Sequence, residues 1–79
     1  MLQYNSREKK AFEVAVYNRE VRAAVKDNRS HAVYGDHWAD VQFQDVVAHS
    51  EKEAWDMIEE RWPTAEGFVV EDLRLSGFE

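Results

Sequence analysis

The tetrapeptide Ser50-Glu51-Lys52-Glu53 fixes the point at which this chain must change from extended to helical backbone. The serine hydroxyl accepts from the amide three residues on. The glutamate reaches back to the serine's own amide, so two N–H groups orphaned by the first helical turn are satisfied reciprocally. The predicted helix runs from Glu51 to about Trp62. Ala54, Ile58 and Trp62 recur at i, i+4 and i+8 with Trp55 adjoining them. Glu51 and Glu53 suit the positive helix N-terminus, and Pro63 stops the helix. A predicted strand, Trp38 to about Ala48, precedes this helix. Another, Phe68 to about Leu75, follows the turn Thr64-Ala65-Glu66-Gly67. Two strands joined by a helical crossover of about a dozen residues lie parallel in one sheet, with a right-handed connection.

A third strand comes first in the chain. In Phe12-Glu13-Val14-Ala15-Val16-Tyr17, the residues Phe12, Val14 and Val16 point one way and Glu13, Ala15 and Tyr17 the other. Asn18 can cap a short helix from Arg19 to about Lys26, with Val21, Ala24 and Val25 on one stripe and Asp27-Asn28-Arg29-Ser30 ending it; an irregular loop is the alternative. The first strand is expected between the other two and antiparallel to both. The fold is therefore read as α+β: a split β-α-β with a three-stranded, mainly antiparallel sheet, one long helix packed on one face, and a short extra helix. Residues 1–10 are read as a flexible arm, 11–76 as the single domain and 77–79 as a tail.

The second strand carries a phase conflict, and the third is apolar on both faces. In the second, Val41, Phe43 and Val47 share the parity read as inward, Asp45 interrupts them, and Val46 breaks the alternation. A bulge near Gln44-Asp45 would reconcile these. In the third, Phe68 and Val70 take one face, and Val69, Leu73 and Leu75 the other. The second sheet face is expected to carry Ala15, Tyr17, Val69 and Trp38, and to be covered by the short helix or used in dimerisation.

The run Val46-Val47-Ala48-His49-Ser50-Glu51-Lys52-Glu53-Ala54 resembles the strand, Ala-x-Ser-x-x-Glu-Ala, helix signature of small ββαβ proteins encoded by phages, plasmids and other mobile elements, the DpnD/PcfM-like proteins among them. The resemblance spans about residues 38–75. The 18–37 segment departs from the shortest members. Roles in these families are mostly undefined, so the resemblance implies a fold and a mobile-element origin and carries over no active site.

Composition narrows the function classes. At 79 residues the chain forms one domain. A chain this short buries roughly 60% of its unfolded surface, and a deep substrate cleft would compete with the core for the same residues. Cysteine is absent, so disulfides and thiolate metal sites are excluded. No apolar run approaches the ~20 residues of a membrane span, and the first ten residues lack the apolar stretch of a signal peptide; a cytoplasmic location is expected. The net charge of −6 is unevenly spread. Residues 1–30 hold seven basic and four acidic side chains, net +3, and residues 31–79 hold three basic and twelve acidic, net −9. Direct nucleic-acid binding is not expected from such a balance.

The least regular stretch, residues 27–37, gathers turn formers, two histidines and Tyr34. Aromatic and polar groups on a loop are where a small scaffold places contacts. Tyr34, His37 and Trp38 form the first candidate contact patch, since tryptophan and tyrosine are enriched in binding hot spots. Nearby His31, Asp36, His37 and Asp40 could ligate a metal, but their spacing fits no standard ligand pattern, so neither metal nor other cofactor is expected. Acid–base chemistry would pair His37 or His49 with Asp36, Asp40 or Asp45, and would be best served by a buried Asp45. No glycine-rich phosphate loop and no nucleophile triad can be read, and no catalytic residue is assigned. The long helix presents Glu51, Glu53, Asp56, Glu59 and Glu60, with Glu66, Glu71 and Asp72 close in sequence. Such a face could mimic nucleic-acid phosphate, and Asp56, Glu59 and Glu60 form the second candidate patch. The expected function is a small non-enzymatic interaction or accessory protein that binds a protein partner and can itself dimerise. The alternative is a small enzyme or ligand-binding protein with its site at a homodimer interface.

Overall fold

The computed structural model describes residues 8–78. Three strands, β1 (Lys10–Asn18), β2 (Gln42–Ala48) and β3 (Phe68–Phe78), form one sheet in the order β2-β1-β3, with β1 antiparallel to both neighbours. Two α-helices accompany them, α1 (Arg19–Lys26) and α2 (Glu51–Arg61), with short 3₁₀ turns at Asp36–Ala39 and Thr64–Glu66. This is the split β-α-β arrangement read from the sequence. Most of the predicted arm lies outside the described residues, although Lys10 already belongs to β1. The predicted tail is corrected at its start: β3 runs on through Ser76 and Gly77 to Phe78.

The core lies between the sheet and α2. Phe12, Val14 and Val16 of β1, Val46 and Ala48 of β2, and Phe68 of β3 form one buried cluster with Ala54 and Ile58 of α2. The register explains which residues share this face. Phe12 stands opposite Val46 and Val14 opposite Gln44, with no slip anywhere along β1–β2. No bulge therefore occurs near Gln44-Asp45. The whole strand takes the other parity, so Phe43, Asp45 and Val47 point away from α2, and Phe43 is 65% exposed. Two features drive this choice. Strand pairing begins only at Gln42, which removes Val41 from the apolar set, and the small Ala48, two residues before the helix cap, lets α2 descend over Val46.

The bulges lie in β3 instead. Ala15 pairs with Asp72 while Val16 pairs with Val70, so Glu71 is the extra residue; Ala11 pairs with Gly77 while Phe12 pairs with Leu75, so Ser76 is another. The first bulge re-phases the strand. Leu73 then stands opposite Val14 and packs against the core beside Val70, rather than on the opposite face as its spacing suggests. At the second, the Ser76 hydroxyl donates to the Ala11 carbonyl at 3.0 Å.

Both helix caps are made. The Asn18 Oδ1 accepts from the amides of Glu20 (2.9 Å) and Val21 (3.1 Å). At the other end of α1, Asn28 takes φ 58°, the Asn28 amide donates to Val25 and the Arg29 amide to Ala24, a Schellman closure. At α2 the Ser50 Oγ accepts from the Glu53 amide at 3.1 Å, but Glu53 reaches one residue further back than the capping box predicts. It accepts from the His49 amide at 2.6 Å and faces His49 Nδ1 at 3.1 Å.

Candidate functional site

The loop between α1 and β2 packs on the same side of the sheet as α2. Trp38, expected to open β2 and to face the second sheet face, instead lies in the 3₁₀ turn, where its amide donates to Gly35. The turn swings its indole onto the core edge. The Trp38 ring meets Phe68 edge-on at 5.2 Å and lies 6.5 Å from Trp62. Tyr34 meets Phe68 edge-on from another direction, at 4.9 Å. Phe68 is thus the anchor around which Tyr34 and Trp38 are assembled, both half-buried. His37 is exposed and lies beside the indole, 5.3 Å between rings. The three residues of the first candidate patch are therefore neighbours, although two of them serve packing.

His31 organises the loop ahead of them. Its Nδ1 accepts from the amides of Val33 (3.0 Å) and Tyr34 (3.2 Å). Two N–H donors aimed at Nδ1 require a lone pair there, so the proton of the neutral ring sits on Nε2 and is donated to Glu20 Oε1, 3.3 Å away. Tyr34 in turn donates its hydroxyl to Glu66 Oε1.

These bonds frame a groove of about 440 Å³, lined by Glu20 of α1, by His31, Val33 and Tyr34 of the loop, and by Ala65 and Glu66 of the second 3₁₀ turn. Val33 stands at its lip, 74% exposed. The start of α1 and the second 3₁₀ turn are tied together by one side-chain and one backbone donor. The Asn18 Nδ2 donates to the Glu66 carbonyl at 3.0 Å, and the Arg19 amide donates to the Gly67 carbonyl at 2.8 Å. Sequence reasoning singled out Tyr34 as a contact, His31 only as a possible metal ligand and Glu66 only as part of the acidic face of α2, and it did not find Glu20, Val33 or Ala65. Their one legible sign was the spacing of His31 and Tyr34, three residues apart within a turn-rich stretch.

The second candidate patch lies on α2. Asp56, Glu59 and Glu60 are all exposed. Asp56 pairs with Lys52 at 3.2 Å, and Glu59 accepts from the Thr64 amide (3.0 Å) and hydroxyl (2.8 Å). Glu51 accepts from the Trp55 indole N–H at 3.4 Å. Glu53, held by the His49 backbone amide above all, has its carboxyl below the usual range.

Asp45 is exposed, opposite Glu13, so the buried carboxylate that an acid–base site would use is not formed. Among the described residues no group of three or more His, Asp or Glu side chains is arranged to hold a metal ion, the His31, Asp36, His37 and Asp40 set included. Also among them, no helix is long and apolar enough to cross a membrane. No protein-family model matches this chain, and neither the curated proteins nor the solved structures give a match.

Proposed function

We propose that this chain is a protein-interaction module without chemistry of its own, and that its contact surface is the groove side of the fold, from His31 and Val33 through Tyr34 to Glu66. One observation carries the reading: a valine 74% exposed at the lip of an open groove whose walls are cross-braced from three separate segments. An apolar side chain on a preorganised rim binds at low entropic cost, because little remains to be ordered. The acidic face of α2 ranks behind it. Asp56 is already paired with the Lys52 ammonium, so its charge is partly offset within the helix. A small-ligand role is the second reading, since 440 Å³ falls in the range of about 300–1,000 Å³ typical of ligand pockets.

The test is affinity capture from lysate of the source organism with wild type, Val33→Glu, and the double variant Asp56→Lys/Glu60→Lys, read by quantitative mass spectrometry. A stoichiometric protein retained by wild type and by the helix variant but lost with Val33→Glu is the expected result. Loss with the helix variant and retention with Val33→Glu would move the interface to α2 and overturn the reading. A thermal shift with a free metabolite, and no protein captured, would favour the ligand role.

A further inference from the structure

The groove carries two carboxylates and no counter-charge. Glu20 and Glu66 both line it, and no lysine or arginine is among the groove's lining residues or pairs with either carboxylate among the described residues. Their hydrogen bonds do not neutralise them. Glu20 Oε1 is held by the Nε2–H of a His31 whose other nitrogen is committed as an acceptor, and Glu66 Oε1 is held by a phenol. Both donors are uncharged, so both negative charges stay in place and are aimed by the donors. The same groove is lined by Tyr34, Val33 and Ala65. An aromatic ring and apolar walls accept the methylene stem of a long basic side chain, and an aromatic face attracts its cationic head.

We infer that the groove receives an arginine or lysine side chain projected by a partner polypeptide, its charge placed between Glu20 and Glu66 and its stem against Tyr34, Val33 and Ala65. This rests on the groove being the contact surface, and it adds the chemistry of what enters. Complementarity of this kind chiefly sets which partner is accepted and how fast it arrives.

The test titrates the ¹⁵N-labelled full chain with an acetylated, amidated pentapeptide Gly-Leu-Arg-Leu-Gly and with its citrulline counterpart, a neutral near-isostere, following amide shifts. Expected are saturable shifts at His31, Val33, Tyr34, Ala65 and Gly67 with the arginine peptide that citrulline does not reproduce. Glu20→Gln and Glu66→Gln keep each acceptor oxygen and remove only charge. Each should weaken the arginine peptide about threefold, as for a partly exposed ion pair, and the two together more than either. Matching thermal melts show that the variants are folded. Equal binding of citrulline, or shifts concentrated on the α2 carboxylates, would overturn the inference. So would methylguanidinium binding as tightly as the peptide, which would mark a free small-cation site. If Val33→Glu abolishes partner capture while the two glutamine variants do not, the interaction surface stands and the cationic occupant fails.

Discussion

Gly67 lies so close to Asn18 that a Cβ on Gly67 would stand 2.8 Å from the Asn18 Oδ1, the very atom that caps α1. It would also meet the Glu20 Cγ at 2.9 Å, and Gly67 adopts φ 99°, in the left-handed region that side chains resist. The turn before β3 and the start of α1 are therefore fitted to each other through the absence of one methyl group.

Gly67→Ala should destabilise the fold by about 1–3 kcal/mol, the cost of forcing a non-glycine residue into such a conformation. It should also shift the amides of Glu20 and Val21. Gly77→Ala is the control, since a Cβ there meets nothing within 4 Å. Urea unfolding of the two variants checks this: equal stabilities would show that the Asn18–Gly67 contact carries no strain.

Two phenylalanines should behave oppositely. Phe68 is 3% exposed and anchors Tyr34 and Trp38, whereas Phe43 is 65% exposed on the outward side of β2. Phe68→Ala should cost about 3–5 kcal/mol, as for truncation of a buried aromatic, and shift tryptophan emission to the red as Trp38 loosens. Phe43→Ala should change stability by no more than about 0.5 kcal/mol. A large loss at Phe43, measured the same way and dependent on protein concentration, would reveal a self-association that buries it.

The acid limb of stability should report on Glu53. Its folded carboxyl is held below the usual range, mainly by the His49 amide and further by the His49 ring. A carboxyl with a depressed folded pKa contributes stability that is fully present above its unfolded value, about 4.3, and is lost as pH falls through the lower folded value. Wild type should therefore lose stability below about pH 4.3 more steeply than Glu53→Gln, which cannot titrate there. Superimposable acid profiles from pH-dependent urea midpoints would show that the His49–Glu53 contact does not persist in solution.

Element type and order were largely legible because they depend on local chemistry. The Ser50 cap, the Asn18 cap and Pro63 are short-range signals, and each appears where its mechanism requires. Face assignment was less legible because it depends on pairing. In β2 the count of apolar residues favoured the parity of Phe43 and Val47, yet the junction with α2 at Ala48 reversed it. In β3 the extra Glu71 leaves no mark in the sequence that distinguishes it from any other exposed glutamate. The groove was hidden for the same reason. Glu20, Val33 and Glu66 are ordinary surface residues until Asn18, Gly67 and His31 draw their three segments together.

That contrast between β2 and β3 yields a sharper test. Deleting Glu71 removes the residue that has no partner on β1 and leaves the pairs Val16–Val70, Ala15–Asp72 and Val14–Leu73 intact, now in uninterrupted alternation. The variant should fold with the same inward set and lose on the order of 1 kcal/mol, since a bulge contributes twist and bend rather than core contacts. Deleting Asp45 does the opposite. The β1–β2 ladder has no slack, so one flank of β2 must shift by one residue. Either Gln42 through Gln44 change faces, or Val46 and Ala48 turn away from Ala54 and Ile58. The second outcome empties the core, and the first exposes nothing apolar that was buried, because Phe43 already faces solvent. The Asp45 deletion should therefore survive only by re-pairing the Gln42–Gln44 flank, turning Phe43 toward the α2 side. Amide exchange and cross-strand NOEs on both deletions decide it. A folded Asp45 deletion that keeps Ala15–Phe43 pairing, or an unfolded Glu71 deletion, would show that the bulge assignment is wrong.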